Sequence, residues 1–252
     1  MKLYDDIIAR CLSMLEPFTS FCKYYHIPAG IIAKGGEESV SDAALWEQES
    51  GQRILFKKDM AYELGGGSLP AYSGLAFTSD AFMRDEIVVC GPDLPQLKGD
   101  SPYGRLTVLR VDDSAWTDNA QAYRVMRRLD YTRYHVYPKG FFMRISAAAN
   151  REPVRVGREA LRSGLNFEQV GRLFLDAYHK HPEVLGVRIL FITEPDFPYE
   201  EFGEAVRIMD SVTESLNEIF NNVIMDCAAC KLKPVCDEVD GLRELHFAAI
   251  KK

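Results

Sequence analysis

Three cysteines, Cys227, Cys230 and Cys236, stand in a Cys-x2-Cys-x5-Cys pattern with Pro234 just before the third. A turn between the first two brings both thiolates to one side. A third thiolate six residues on fits ligation of a metal or an iron–sulfur cluster better than a disulfide. Packing does not require cysteine at fixed intervals, since a buried thiol is only a small hydrophobe. A cubane takes four ligands. The fourth would come from His246, from Cys11, Cys22 or Cys90, from a second subunit or from an exogenous group. A structural zinc pinned by the same cysteines is the alternative. Cys11, Cys22 and Cys90 are isolated in sequence and are expected to be buried hydrophobes.

A second feature is charge. The chain of 252 residues has a formal net charge of −7, which argues against general nucleic-acid binding. From Arg124 to Arg172, however, ten arginines and Lys139 face Asp130, Glu152, Glu159 and Glu168, whereas Arg207 alone faces seven acids from Pro198 to Asp226. Two readings stand: solvated faces of one fold, or an arginine surface that meets an anionic cofactor or an acidic protein.

Other motifs carry less. Gly65-Gly66-Gly67 lacks the Gly-Lys-Ser/Thr of a P-loop and the G-x-G-x-x-G of a dinucleotide site, leaving a flexible turn or a close backbone approach. His179 and His181 flank Lys180 at the end of a helix, where the dipole explains them. No nucleophilic Ser/His/Asp or Cys/His set, no H-E-x-x-H and no carboxylate pair can be assembled from sequence order.

The positioning elements follow from periodicity. Leu3, Ile7, Ile8, Leu12 and Leu15 predict an amphipathic helix that docks on the main body, before a Gly-rich loop over 28–52 with a short helix around 42–48. Strands are predicted at 53–56, 87–90, 105–111, 141–146, 153–156 and 186–193. Helices are predicted from Asn119 to Tyr131, before Gly164, from an Asn166/Gln169 capping box to His179, and from Asp196/Pro198 onward.

In that last helix Phe202, Ala205, Met209, Val212, Leu216, Ile219 and Val223 alternate by threes and fours, either across a sheet or along a coiled-coil dimer. It delivers Cys227 at its end, and a C-terminal helix from Asp237 to about Ile250 follows. The expected class is α+β, with mixed sheets, helices packed on one face and right-handed crossovers giving a plait-like form. The expected division is 1–52 as N-terminal helix and loop, 53–225 as the α+β domain, and 226–252 as the cysteine segment with its helix. With no signal-peptide pattern and no membrane-length apolar run, the expected compartment is the cytoplasm, where thiols stay reduced.

The runs Asp59–Tyr72, Ile87–Leu94, Gly104–Val111, Met126–Leu129 and Val187–Thr193, followed in order by the cysteines, resemble the middle region of acetyl-CoA synthase, the β subunit of the CO dehydrogenase/acetyl-CoA synthase complex. The resemblance covers about residues 59 to 236. It implies that Cys227, Cys230 and Cys236 open a segment holding a [4Fe-4S] cluster, and that Arg124, Arg127 and Arg128 belong to a CoA-binding region.

Here the gap before the third cysteine is shorter than in the family, no fourth cysteine follows, and the Cys-Gly-Cys that chelates nickel is absent. The implied role is that of a stand-alone iron–sulfur relative in anaerobic one-carbon metabolism, working in electron transfer or partner docking. Its partners would be CO dehydrogenase/acetyl-CoA synthase, a corrinoid protein or a second copy of itself. Any acyltransferase chemistry would need a partner. A CoA- or acyl-binding enzyme with a structural cluster is a further alternative.

Overall fold

Two long apolar runs form the centre of the molecule. Strands β5 (Tyr103–Val111) and β8 (Val184–Ile192) pair antiparallel, Leu106 opposite Leu190 and Thr107 opposite Ile189. Nearly every residue of both is buried, as expected of strands covered on two faces. Strand β3 (Ala71–Thr78) adds parallel to β5, and β4 (Glu86–Cys90) parallel to β8. Strand β1 (Cys22–His26) closes the far edge antiparallel to β4, giving the order β1-β4-β8-β5-β3. A second, antiparallel sheet has the order β2-β7-β6, from β2 (Met60–Leu64), β6 (Phe141–Met143) and β7 (Val154–Gly157).

The computed structural model describes residues 4–27, 55–80, 83–112, 119–144 and 151–220, with backbone alone at 119–120 and 216–220. The predicted short helix around 42–48, the C-terminal helix from Asp237 and the cysteine segment lie outside these residues.

The α+β class with a mixed sheet and packed helices is what the fold shows, the smaller sheet being antiparallel throughout. The helices are α1 (Asp5–Leu15), α2 (Asn119–Thr132), α3 (Arg158–Arg162), α4 (Phe167–His179) and α5 (Tyr199–Phe220). They cover both faces of the larger sheet, where the sequence reading expected one, because its central strands are apolar on both sides. Ile87 and Val88 are neighbours on β4 and so point to opposite faces. Helix α4 lies on the Ile87 face, where a Cβ on Gly171 would come within 2.8 Å of the Ile87 side chain.

Helix α5 lies on the other face, where a Cβ on Gly74 would come within 2.9 Å of Met209 Sδ. Gly74 is in register with Leu106, Leu106 with Leu190, and Leu190 with Val88, which fixes the side. Helix α1 packs beside α5, Tyr4 Oη to Thr213 Oγ1 at 3.0 Å. The amino-terminal helix and β1 thus build on the same body as the larger sheet.

Local signals explain the boundaries. Asn166 Oδ1 accepts from Gln169 N at 2.9 Å, and Gln169 Oε1 accepts from Asn166 N at 3.1 Å, which is the predicted capping box. Helix α5 starts one residue after Pro198. Its buried Phe202, Ala205, Met209 and Val212 face β3 and β5, so the heptad-like pattern serves a helix laid across a sheet. The strand predicted over 53–56 does not form where it is described. Leu55 and Phe56 are irregular, and Lys57–Asp59 is a 3-10 turn that ends against β2.

Candidate functional site

Helix α5 precedes the cysteine segment in the sequence. Its 22 residues span about 33 Å at about 1.5 Å per residue. Burial of Phe202, Val206, Met209 and Val212 fixes it to the sheet, each side chain contributing about 1.5–3 kcal/mol. Arg10 of α1 meets Glu204 at 3.4 Å on its outer side. Cys227, Cys230, Cys236 and His246 lie outside the described residues. Among the described residues no group of three or more His, Cys, Asp or Glu side chains could hold a metal ion.

Helix α2 carries the three arginines of the expected CoA region. Ala122, Val125, Met126 and Leu129 turn inward, and this spacing leaves Arg124, Arg127 and Arg128 on the exposed side. Arg128 is taken by an ion pair with Glu183. Arg124 and Arg127 form no ion pair with a described residue.

Most of the other arginines in this basic stretch are engaged by the fold itself. Arg144 and Arg155 both pair with Glu63. Arg172 pairs with Glu168 at 2.7 Å, one helical turn away. Arg151 donates to the carbonyls of Gly65 at 2.8 Å, Gly67 at 3.1 Å and Leu69. It therefore clamps the triple-glycine turn. Gly65 has φ +67°, and a Cβ there would meet the Ala71 Cβ at 2.1 Å. The close approach that Gly65 permits is to the next strand.

Arg133 follows α2 and is buried. Its Nε lies 3.0 Å from Asp130 Oδ1, its Nη2 lies 3.5 Å from Asp210 Oδ1 on α5, and its Nη1 donates to the Ser73 carbonyl at 3.4 Å. Burial pushes the Asp210 carboxyl up to about 6, and the Arg133 charge only partly offsets it. The helix bearing the exposed arginines is thereby tied to the helix that leads toward the cysteines.

A buried pair lies beneath. Arg105 of β5, 1% exposed, donates to Glu152 Oε2 and to Ser73 Oγ, both at 3.0 Å. Its guanidinium carbon sits 4.5 Å from the centre of the Phe174 ring. Glu152 also borders a cavity of about 40 Å³ lined by Tyr134, Val136, Phe141 and Met143. That volume holds a water molecule, not an acyl group or a nucleotide. The pair is placed to hold β5 to the segment before β7, not to meet a substrate.

His179 and His181 are tied to partners too. His179 Nε2 lies 2.9 Å from Asp85 Oδ1, which also accepts from Val187 N at 2.8 Å. His181 Nε2 and Thr132 Oγ1 are 2.8 Å apart. The sequence explanation by helix dipole therefore leaves out the side-chain partners that fix both rings.

One grouping was invisible in sequence. An open groove of about 420 Å³ runs from the edge strand β1 across β4 to the central strand β8 beside α1, over Leu12, Leu15, Thr19, Cys22, Val88 and Leu190. At one end Glu86 binds His26 Nδ1 at 3.0 Å and Arg188 Nε at 2.9 Å. At the other, Cys22 of β1 stands opposite Cys90 of β4.

No protein-family model matches the chain, and no curated protein matches it. Among the described residues, no helix is long and apolar enough to cross a membrane.

Proposed function

We propose that this chain is a stand-alone, acetyl-CoA synthase-like iron–sulfur protein of anaerobic one-carbon metabolism. The single observation that carries the reading is the Cys227/Cys230/Cys236 spacing that follows the long, anchored α5. Three thiolates at that spacing are a donor set for a [4Fe-4S] cubane. Bound there, the cluster would supply one-electron transfer. The chain's own part is to hold the segment on a rigid helix against an α/β body and to present a surface to a redox partner, such as CO dehydrogenase/acetyl-CoA synthase or a corrinoid protein.

Metal and acid-labile sulfide analysis of anaerobically purified protein tests this directly. About four irons and four sulfides per chain support it. One zinc and no sulfide would leave a structural clip and remove the electron-transfer role.

A second reading is CoA binding, and one observation favours it: Arg124 and Arg127 are exposed on one helix with no ion pair to a described residue. Guanidinium groups bind phosphates bidentately, and CoA carries a diphosphate and a 3′-phosphate. In this reading the cluster is structural, and any acyl transfer requires a partner protein.

A further inference from the structure

Cys22 and Cys90 are 68 residues apart in sequence and directly opposite each other on neighbouring antiparallel strands. Two kinds of cross-strand position exist, and the ladder identifies which one they occupy. Gly91 N donates to Phe21 O at 3.1 Å, and Ile27 N donates to Asp85 O at 3.2 Å. Phe21/Gly91 and Ile27/Asp85 are therefore hydrogen-bonded positions, and the alternation makes Cys22/Cys90 a non-hydrogen-bonded one. Such positions bring Cα atoms to about 4.5 Å, inside the window of about 4.4–6.8 Å that a disulfide needs.

The side chains converge as well. Both thiols reach one acceptor, the Phe18 carbonyl, Cys22 Sγ at 3.3 Å and Cys90 Sγ at 3.9 Å. Both are free thiols.

We propose that Cys22 and Cys90 form a reversible cross-strand disulfide, made by exchange with a small-molecule disulfide that enters the groove beside α1. The two thiols have unequal access. Cys22 is half-buried and lines the groove, whereas Cys90 is 1% exposed. Cys22 is accordingly the attacking group. Its thiolate displaces one thiolate from the small disulfide and becomes a mixed disulfide.

Cys90 then loses its proton and attacks Cys22 Sγ, displacing the second small thiolate. Two protein thiols are oxidised, one small disulfide is reduced to two thiols, and the two cysteine protons end on them. Burial raises the Cys90 thiol above its ordinary range, which slows this second step. The fixed cross-strand geometry offsets that by making the step intramolecular. A Cα separation near the short end of the window makes the bond readily reducible, as a reversible site requires. The inference does not rest on the iron–sulfur reading.

The test uses the unmodified full chain in glutathione buffers of graded oxidised-to-reduced ratio, followed by acid quench, alkylation and peptide mass spectrometry. The expected result is a Cys22–Cys90 linked peptide pair, lighter than the two thiol peptides by two hydrogens and lost on reduction. In Cys22→Ser, Cys90 should remain fully alkylatable at every ratio. Recovery of Cys22 as a glutathione adduct with Cys90 still alkylated, alkylation of both throughout, or a link from either to Cys227, Cys230 or Cys236 would overturn the proposal.

Discussion

Arg133, just beyond α2, and Asp210 on α5 are 3.5 Å apart, and Arg133 also holds Asp130 at 3.0 Å. One buried guanidinium therefore joins the helix of exposed arginines to the helix that leads toward the cysteines. Two carboxylates share that one cation, and burial raises Asp210 to about 6.

A pH dependence follows with a definite sign. The folded-state value lies above that of the unfolded chain, so the native state binds the extra proton between about 4 and 6. Ionisation of Asp210 costs stability as pH rises through that window, and nothing more is lost above it. Asp210→Asn has no such term. Urea unfolding at pH 4.5 and pH 7 should show the wild type gaining on Asp210→Asn at the lower pH. An unchanged difference between the two proteins would contradict the assignment.

The Arg105–Glu152 pair predicts an asymmetry. Glu152→Ala leaves a fully buried guanidinium without its carboxylate, at a cost of about 3–5 kcal/mol. Replacing both partners with apolar residues of similar volume should cost much less, because no uncompensated charge remains. Chemical denaturation of Glu152→Ala and of Arg105→Met/Glu152→Leu separates the two outcomes. Equal losses would mean that packing, not charge, decides this site.

Gly171→Ala sets two effects against each other. On an exposed helix alanine would gain up to about 1 kcal/mol over glycine. Here the new Cβ meets three atoms of Ile87 at 2.8 to 3.0 Å, on a strand buried throughout. Overpacking of that kind costs about 1–3 kcal/mol, so a net loss is expected. A rise in melting temperature would show that α4 can lift from the sheet.

Such close contacts also show why parts of the fold were legible in the sequence and others were not. Strands β5 and β8 were legible because burial on both faces makes them continuous apolar runs. The Asn166/Gln169 box announced α4, and the spacing of Phe202, Ala205, Met209 and Val212 announced α5. Strand β1 gave no signal, since its Lys23, Tyr24 and His26 are exposed edge residues with no apolar alternation. Strand β3 was obscured by Ser73 and Gly74, which are needed for the Arg105 hydrogen bond and for the approach of Met209.

At the candidate site, the count of arginines overstated the free positive surface. Arg133, Arg144, Arg151, Arg155 and Arg172 are spent on partners that only the folded chain brings near. Cys22 and Cys90 were read as isolated because nothing in a 68-residue separation discloses a strand register.

The CoA reading predicts unequal arginines. A charge-assisted hydrogen bond to phosphate is worth about 1.5–3 kcal/mol, so Arg124→Ala or Arg127→Ala should each weaken CoA binding about tenfold or more. Arg128→Ala should weaken it less, because that side chain already answers to Glu183. Calorimetric titration with CoA measures all three. No detectable heat with the wild type would remove the reading.

The central claim is a cysteine-held cluster beyond α5. The most direct measurement is electron paramagnetic resonance of dithionite-reduced, anaerobically purified protein, beside a Cys227→Ser/Cys230→Ser variant. The account predicts a reduced-cubane signal that accompanies a visible charge-transfer band in the wild type, with both lost in the variant. A colourless, signal-free wild type carrying one zinc would contradict it.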